Sequence, residues 1–364
     1  MALEQLPRVC SRVSSTRAMK KKYSGGIAAF FLAIVLVASL LSAVTFGSTK
    51  IPVSDVYGVI MHKLGMSGEA PANSISDVVW LIRLPRLVLA VAVGAGLSVS
   101  GVVMQAVVRN PLADPYALGV SSGAYLGASM AILLGMESTL GGNAAGIMAF
   151  VGAFSVSILV ALIGGVGGQT NTVRLLLTGM AVSSVCTAFS NFLIYRTQSS
   201  ERVQAVVLWM LGGLGAAKWA TNTVALTVIF LCFLFFWSQF RSLNLMLLGD
   251  EAAVALGVDS RRRRVLYMLV SSLMVGFSVY CAGMIGFIGL VIPHVVRMLF
   301  GSDHRRLIPL CALSGSIFLI WADVLCRIVI KGAELPIGIL TAMIGSPFFV
   351  YLMSKRKYSF GGQR

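Results

Sequence analysis

The chain alternates long apolar stretches with short polar breaks along most of its length. A membrane-spanning helix needs about 20 mostly apolar residues. About ten stretches approach that length, and the eighth is short and contains Pro293. They cover residues 27–47, 84–108, 117–134, 144–166, 172–195, 219–237, 265–284, 286–300, 307–330 and 336–353. This pattern predicts an all-α membrane protein with about ten transmembrane helices, and ten crossings place both termini on one side of the membrane.

Composition and charge are typical of a membrane protein. Hydrophobic residues make up 57% of the 364 residues, and the mean hydropathy is +0.88. The net charge of +16 does not indicate a nucleic-acid partner, because the basic residues cluster at the ends of apolar stretches. The positive-inside rule and contact with membrane lipid explain that distribution.

Three basic clusters predict the orientation in the cytoplasmic (inner) membrane. They lie at residues 8–22, at residues 355–357, and at Arg241 with residues 261–264. Ten crossings place all three on the same side, which the rule makes cytoplasmic. We expect a basic cytoplasmic N-terminus at residues 1–26, a transmembrane domain at 27–353 and a cytoplasmic tail at 354–364. Cleavage of the first stretch as a signal peptide is disfavoured, because it is longer than a usual signal core.

Few ionisable groups lie inside the apolar stretches, which limits the energy sources open to the chain. Ion-coupled transporters keep such groups at membrane depth. Asp323 is the exception among the acids, and Arg327 follows one helical turn later, so we predict an ion pair between them. His294 has two interpretations, a proton relay or a polar contact between helices. Because no GxxxxGK[ST] phosphate loop occurs, we expect a separate subunit to bind ATP and Mg²⁺.

The sequence predicts no cofactor, metal site or catalytic residue on this chain. Its six cysteines are scattered without a CxxC pair, which favours a packing role. No paired acids, HExxH or Ser/His arrangement occurs at membrane depth, so an intramembrane enzyme is disfavoured.

Small polar residues form a stripe on the fifth apolar stretch. Their spacing near i, i+4 and i+7 places them on one helical face. A second, shorter stripe ends at Gln105 in the second stretch. Either stripe has two interpretations, hydrogen bonding between helices or the wall of a translocation path. We predict a translocation path at Gln105 and at Gly179, Ser183, Thr187, Ser190 and Asn191.

Several long strings of sequence resemble one permease family. They are RLPR (83–86), GAGLSVSGVVMQ (94–105), RNPLADPYALGVSSGA (109–124), GMIGFIGLVIPHVVR (283–297), SDHRRLIPL (302–310) and AELPIGILTAMIGSPFFVYL (333–352). They resemble the FecCD-like permeases of the ATP-binding-cassette (ABC) importers for iron–siderophore complexes, haem and cobalamin. The resemblance implies the type II importer permease fold, a second permease subunit in a homodimer, two cytoplasmic ATPase subunits and an extracytoplasmic substrate-binding protein.

The resemblance leads us to expect import of an iron(III)-siderophore type chelate. Haem and cobalamin are alternatives within the same class, since all three cargoes share these motifs. An ion-coupled secondary transporter is the alternative from another class, and it predicts uptake that persists without ATP.

Three arginines carry an implied docking role. By motif, Arg83, Arg86 and Arg327 lie at the outer mouth, where the resembled permeases bind carboxylates of the binding protein. This placement opposes the positive-inside trend, which favours an anionic partner there. Arginines that extend towards lipid headgroups are the alternative interpretation.

The resemblance also implies two short coupling helices at residues 243–258, which would fit a cleft on the ATPase. Leu245, Leu248 and Ala252 are expected to form an apolar face there. Asp250 and Glu251 are expected to stay solvated or to contact the ATPase. A helix lying on the membrane surface is the alternative. Gly249 and Gly257 are expected to break the segment.

A cytoplasmic gate is implied at two loops, at Asn110 and Leu112 and at Thr172 and Val173. Val173 replaces a small hydroxyl residue of the resembled cobalamin permease, so an apolar constriction is expected. Residues 203–214 are expected to form a short helix at the outer mouth. There Trp209 and Met210 would meet the ligand, although Trp209 is equally typical of an interfacial anchor.

Overall fold

The computed structural model describes residues 6–47, 51–66, 73–165, 172–257, 259–330 and 332–355, and every regular element within them is helical. The first half contains α1 (Leu6–Ala43), α2 (Val53–Lys63), α3 (Asn73–Asp77), α4 (Leu84–Val108), α5 (Val120–Leu133), α6 (Glu137–Leu140), α7 (Ala144–Gly165) and α8 (Thr172–Arg196). The second half contains α9 (Ser200–Leu211), α10 (Trp219–Ser238), α11 (Phe240–Met246), α12 (Asp250–Ala255), α13 (Ser260–Ala282), α14 (Ile288–Phe300), α15 (His304–Ile328) and α16 (Ile337–Lys355). A π-helical turn (Val78–Arg83) precedes α4, and a 3₁₀ turn (Pro115–Leu118) precedes α5.

Among the described residues, seven helical segments are long and apolar enough to cross a membrane. They are Gly25–Ala43, Ser74–Val108, Ala144–Gly164, Val173–Arg196, Trp219–Ser238, Ser260–Ala282 and His304–Ile328. Three further apolar helices, at Val120–Leu133, Ile288–Phe300 and Ile337–Tyr351, are shorter. The predicted all-α membrane class is therefore confirmed. The count of ten crossings stays a prediction, because three of the ten apolar stretches form helices shorter than a full crossing.

The structure refines several predicted boundaries. The first apolar stretch belongs to a helix that already begins at Leu6. The third stretch is divided at Gly119, which has a φ of 89° and separates the 3₁₀ turn from α5. Helix α9 lies where residues 203–214 predict a short helix. It ends at Leu211 and is capped by Gly212, whose φ is 67°. Helix α2 has no counterpart among the predicted elements, because its sequence is too polar for a crossing and contains none of the family-like strings.

Helix α4 forms the centre of the bundle, and nearly all of its side chains are buried. It packs against α10, α13, α14 and α15. Glycines make the closest approaches possible: a Cβ on Gly94 would overlap the backbone at Gly315, and a Cβ on Gly101 would overlap the carbonyl group of Gly289. Such close packing by small residues is typical of membrane helices. Because α4 is held along its whole length, its two ends position the polar clusters described next.

Candidate functional site

The N-terminal end of α4 carries a cluster of charged residues, which we call the arginine cluster: Arg83, Arg86, Asp323, Arg327 and Glu334. Arg86 Nε donates to Asp323 Oδ1 at 2.7 Å. Arg86 Nη1 donates to both carboxylate oxygens of Glu334, at 3.0 and 2.8 Å. The Nη2 atom of Arg327 lies 2.9 Å from Asp323 Oδ2, one turn away on α15. The predicted ion pair between Asp323 and Arg327 is therefore confirmed.

Two of these arginines also bind the turn that follows α1. Arg83 Nη1 donates to the carbonyl oxygens of Val44 and Thr45, at 3.0 and 3.1 Å. Arg327 Nη1 donates to the carbonyl oxygen of Phe46 at 3.0 Å. These carbonyl groups lie in the turn that follows α1, so the two guanidinium groups fix this turn and join the end of α1 to α4 and α15.

The arginine cluster is buried on the side of the arginines and open on the side of Glu334. Arg83, Arg86 and Arg327 are 3%, 6% and 6% exposed, whereas the Glu334 side chain is 49% exposed. A small cleft of about 190 Å³ reaches Arg86 between Glu334 and residues 212–215. An anionic group that enters this cleft would compete with the Glu334 carboxylate for Arg86. Docking of a partner at these arginines stays a prediction, and the structure adds Asp323 and Glu334 to the site.

The C-terminal end of α4 carries a second cluster, the Asp250 cluster, formed by Arg109, Asp250 and Arg264. Arg109 ends α4 in the left-handed region, with a φ of 53°. Arg109 Nη2 donates to Asp250 Oδ2 at 2.9 Å, and Arg264 Nη2 donates to Asp250 Oδ1 at 2.7 Å. Arg264 is almost completely buried, with a side chain that is 2% exposed. One carboxylate thus joins α12 to the end of α4 and the start of α13.

The predicted coupling segment forms two short helices, α11 and α12, with a break at residues 247–249. Leu248 is 64% exposed, whereas Leu245 and Ala252 are partly buried, so the expected apolar face is only partly presented. Val254 and Leu256 extend the exposed apolar surface instead, each at about 60% exposure. Glu251 is exposed, and Asp250 contacts arginines of its own chain. Gly249 and Gly257 have positive φ values of 108° and 81°, as expected for breaks.

The loop after α4 contains the predicted gate residues Asn110 and Leu112. Asn110 Oδ1 accepts a hydrogen bond from the Leu112 backbone N–H at 2.9 Å, which fixes a tight turn,. Asp114 accepts one from the Tyr116 N–H at 3.0 Å. Burial raises the pKa of Asp114 to about 6, and the bond from Tyr116 opposes this shift. We call residues 109–114 the gate loop.

The second predicted gate element is at the start of α8. Thr172 is the first residue of the helix, and its side chain lies outside the described part. Val173 is 59% exposed. Residues 166–171, just before this helix, also lie outside the described residues. The gate role of both elements stays a prediction.

The polar stripe on α8 is divided between two faces. Gly179 packs against the backbone of Leu118, and Ser190 is buried, with its hydroxyl group donating to the Cys186 carbonyl oxygen at 2.9 Å. Ser183 is partly buried, whereas Thr187 and Asn191 are exposed. Thr187 and Asn191 are thus the exposed polar side chains of the stripe, and the path role of all five residues stays a prediction.

Gln105 belongs to a contact between helices. Its side chain is fully buried, and its Oε1 atom accepts a hydrogen bond from Arg297 Nη2 at 2.7 Å. Its Nε2 atom donates to the Gly289 carbonyl oxygen at 3.4 Å. This burial places Gln105 in the contact between α4 and α14, and lining of the path by Gln105 stays a prediction. The two hydrogen bonds of Gln105 match the other interpretation from sequence, hydrogen bonding between helices.

A large apolar groove has no counterpart among the sequence predictions. It has a volume of about 540 Å³ and is lined mainly by sulfur-containing, aromatic and aliphatic side chains. The principal lining residues are Tyr116, Met210, Met284, Phe287, Ile339 and Met343. Of these, the sequence singles out Met210 alone. The residues come from the 3₁₀ turn, α9, the segment before α14, and α16, and their only common signal is that most lie in the family-like strings.

The groove adjoins the cleft at the arginine cluster. Leu211 lines the groove and its neighbour Gly212 lines the cleft. At the start of α16, Gly338 lines the groove and its neighbour Ile337 lines the cleft. These neighbouring residues connect the cleft beside Arg86 to the apolar groove. Among the described residues, no group of three or more His, Cys, Asp or Glu side chains is arranged to hold a metal ion.

Comparison with known proteins identifies relatives along most of the chain. The sequence profile of the FecCD transport family matches residues 34–355. The haemin transport system permease protein HmuU of Yersinia pestis is 37% identical over 330 residues, which cover 90% of this chain and 95% of that protein. The vitamin B12 import system permease protein BtuC of Salmonella typhi is 42% identical over 277 residues, which cover 76% of this chain and 83% of that protein.

Solved structures share the fold. One is described as an inward-facing conformation of a metal-chelate type ABC transporter. It has a TM-score of 0.78 and 31% sequence identity, and the match covers 90% of this chain and 99% of that one. PsaBC from Streptococcus pneumoniae, in complex with a Fab, has a TM-score of 0.52 and 19% identity, over 73% of this chain and 88% of that one. The second likeness concerns the fold alone.

Proposed function

The chain belongs to the FecCD transport family, and we propose that it is the transmembrane permease subunit of an ABC importer that carries a metal chelate across the cytoplasmic membrane. In this proposal, ATP hydrolysis belongs to a separate subunit. The observation that carries the proposal is the apolar groove of about 540 Å³ beside the arginine cluster. It offers a large, weakly polar surface next to a charged entrance, which suits a bulky cargo that must pass without binding tightly.

The proposal includes ten crossings with both termini cytoplasmic. The arginine cluster then lies outside and the Asp250 cluster inside, since they occupy opposite ends of α4. A carboxylate-bearing binding protein docks outside, through Arg86 in the cleft. Two ATPase subunits dock inside, at the exposed apolar surface formed by Leu248, Val254 and Leu256. A second copy of the permease completes the translocation path, with Thr187 and Asn191 of α8 as candidate wall residues.

The proposed cargo is an iron(III)-siderophore type chelate, as the sequence resemblance implies. Haem is a second candidate, because Met210, Met284 and Met343 give the groove an adaptable apolar wall suited to a flat macrocycle,. The similarity to a haemin permease supports the same candidate. Cobalamin stays the third, supported by the similarity to BtuC.

Reconstitution of the chain with its ATPase and binding protein in lipid vesicles tests the proposal. The measurement is ATP hydrolysis after the binding protein is loaded with a ferric hydroxamate siderophore, haemin or cyanocobalamin. One of the three is expected to stimulate hydrolysis and to accumulate in the vesicles. Stimulation by none of them would contradict the cargo class.

A pair of methionine variants tests the groove in the same vesicles. Met343→Gln places an amide in the groove wall, whereas Met298→Gln makes the same change on the exposed surface of α14. Met343→Gln is expected to slow uptake of the active chelate more than Met298→Gln, because the amide adds hydrogen-bonding groups to the wall. Equal uptake by the two variants would show that the groove is not part of the translocation path.

A further inference from the structure

The Asp250 cluster joins three elements through one carboxylate. Asp250 is the first residue of α12, while Arg109 ends α4 and Arg264 lies in the first turns of α13. Each carboxylate oxygen accepts from a different guanidinium group, at 2.9 Å from Arg109 and 2.7 Å from Arg264. Charge-assisted bonds of this kind fix both distance and direction. A displacement of α12 therefore changes the bonds to both transmembrane helices.

Helix α12 has few other attachments. Of its six residues, Ala253 alone is buried. Gly249 and Gly257 on either side have positive φ values, which glycine adopts at no steric cost. The helix is thus a short element between two glycines, and the bonds of Asp250 attach it to the transmembrane bundle. Its exposed apolar residues, Leu248, Val254 and Leu256, lie in and beside the same piece.

The residue that receives this connection occupies an unusual backbone position. Arg109 ends α4 with a φ of 53°, a position at which glycine is the usual residue. An arginine at this φ is conformationally strained, and backbone strain of this kind is concentrated at functional sites. Its side chain reaches Asp250, and its backbone leads directly into Asn110 and Leu112 of the gate loop.

We propose that Asp250 is the positioning residue through which movement of the α11–α12 segment reaches the gate loop, with Arg109 as the receiving partner and Arg264 as the anchor on α13. This inference rests on the proposed function, because it assumes that an ATPase moves the segment. It adds a specific residue pair: without the bond between Asp250 and Arg109, the segment moves and the gate loop does not follow.

The test uses the permease–ATPase complex in lipid vesicles, with a cysteine introduced at Leu112. The rate of labelling by a membrane-impermeant maleimide is measured without nucleotide and with ATP and vanadate. The labelling of the chain without the introduced cysteine is subtracted, because it carries native cysteines. In the Leu112→Cys parent, the labelling rate is expected to change severalfold on nucleotide trapping. With Asp250→Asn or Arg109→Gln added, the two rates are expected to agree within about twofold, since a neutral partner weakens a charge-assisted bond.

Three comparisons separate this role from a loss of folding. Asp259→Asn removes a carboxylate from the loop between α12 and α13. Its ion pair with Arg262 is exposed and does not reach α4, so the nucleotide response is expected to persist. Asp250→Glu restores the charge and is expected to recover part of the response. The double variant Asp250→Asn/Arg109→Gln is expected to respond no less than Asp250→Asn alone, because that single variant already weakens the bond between residues 250 and 109.

The outcomes are distinct. Arg109 lies outside the segment that meets the ATPase, so Arg109→Gln is expected to keep complex assembly, measured by gel filtration, and ATP hydrolysis. A full nucleotide response at position 112 in Arg109→Gln would overturn the inference. A parent chain that neither binds an ATPase nor responds to nucleotide would instead overturn the proposed function.

Discussion

Arg86 donates through a single nitrogen to both carboxylate oxygens of Glu334, at 3.0 and 2.8 Å, although Arg86 is buried and Glu334 is half exposed. The other bond of Arg86, to Asp323, is enclosed in the bundle. The two carboxylates therefore have different roles. Asp323 is an enclosed partner, while Glu334 lies at the open cleft, where a carboxylate of the binding protein replaces it in the proposed mode of docking.

Replacing Glu334 by glutamine is expected to strengthen docking of the binding protein. The amide is neutral and gives up Arg86 more easily, while Asp323 still holds the guanidinium group in place. Since hydrogen bonds to charged groups contribute about 1.5–3 kcal/mol, partial loss of this one is expected to lower the Kd roughly threefold to tenfold. Binding of the purified binding protein to the permease in lipid nanodiscs measures the change.

Glu137→Gln is the matched control, because it removes the same charge from an exposed residue of α6 that makes no bond to Arg86. It is expected to leave the Kd unchanged. A Kd that rises in Glu334→Gln would mean that Glu334 itself contributes to docking.

Replacing Asp323 by alanine is expected to destabilise the bundle. The Asp323 side chain is 1% exposed and lies between Arg86 and Arg327, so its removal leaves two buried positive charges facing each other. Breaking a buried ion pair costs about 3–5 kcal/mol. The apparent midpoint of thermal unfolding in detergent is expected to fall sharply.

The control variant is Asp259→Ala, which removes an exposed ion pair and a helix cap. Its free energy of unfolding is expected to fall by about 1 kcal/mol. Similar midpoints would contradict the central position of Asp323.

Sequence spacing could predict some contacts of the arginine cluster but not others. Asp323 and Arg327 are one helical turn apart, so periodicity alone was enough to predict their ion pair. Arg86 is separated from Asp323 by 237 positions and from Glu334 by 248, and nothing local in a single sequence relates such residues. The docking role assigned by resemblance therefore lacked the two carboxylates that hold Arg86.

Periodicity also could not give the rotation of a helix within the bundle. The stripe on α8 was correctly placed on a helix, yet Gly179 packs against the 3₁₀ turn and Ser190 is buried, while Thr187 and Asn191 are exposed. Gln105 gave the same kind of signal and is enclosed by Arg297 and Gly289. The apolar groove could not be predicted because its lining comes from four separate elements, which only tertiary packing brings together.

Replacing Gly249 by leucine is expected to separate ATP hydrolysis from transport. Gly249 has φ 108° and ψ 160°, a region open essentially to glycine, and a side chain there costs about 1–3 kcal/mol. The strain is expected to displace α12 and its Asp250 carboxylate. Chelate uptake per ATP hydrolysed is expected to fall roughly fivefold or more, in line with that strain, while hydrolysis continues.

The control for this experiment is Gly142→Leu. Gly142 is exposed, and a Cβ added to it would meet no atom within 4 Å, so uptake per ATP is expected to stay unchanged. Full coupling in Gly249→Leu would show that α12 tolerates displacement without loss of transport.

The gate loop is expected to make stability depend on pH through Asp114. Burial raises the pKa of Asp114 to about 6 in the folded chain, above its ordinary value of 3.8. A raised carboxyl pKa means that the folded state binds more protons than the unfolded state between these values, so stability falls as pH rises from about 4 to above 6. Asp114→Asn is expected to reduce this fall, measured as the difference in unfolding midpoint between pH 4.5 and pH 7. An identical pH dependence in parent and variant would contradict a raised pKa at Asp114.

The most direct test of the account measures chelate accumulation in vesicles that contain the purified chain alone or the chain with its ATPase and binding protein. Accumulation is expected only when the partner subunits and ATP are present, because the permease needs a separate motor acting at α11 and α12. A proton or sodium gradient without ATP is expected to give none. Accumulation of the chelate by the isolated chain, using an ion gradient alone, would contradict the account.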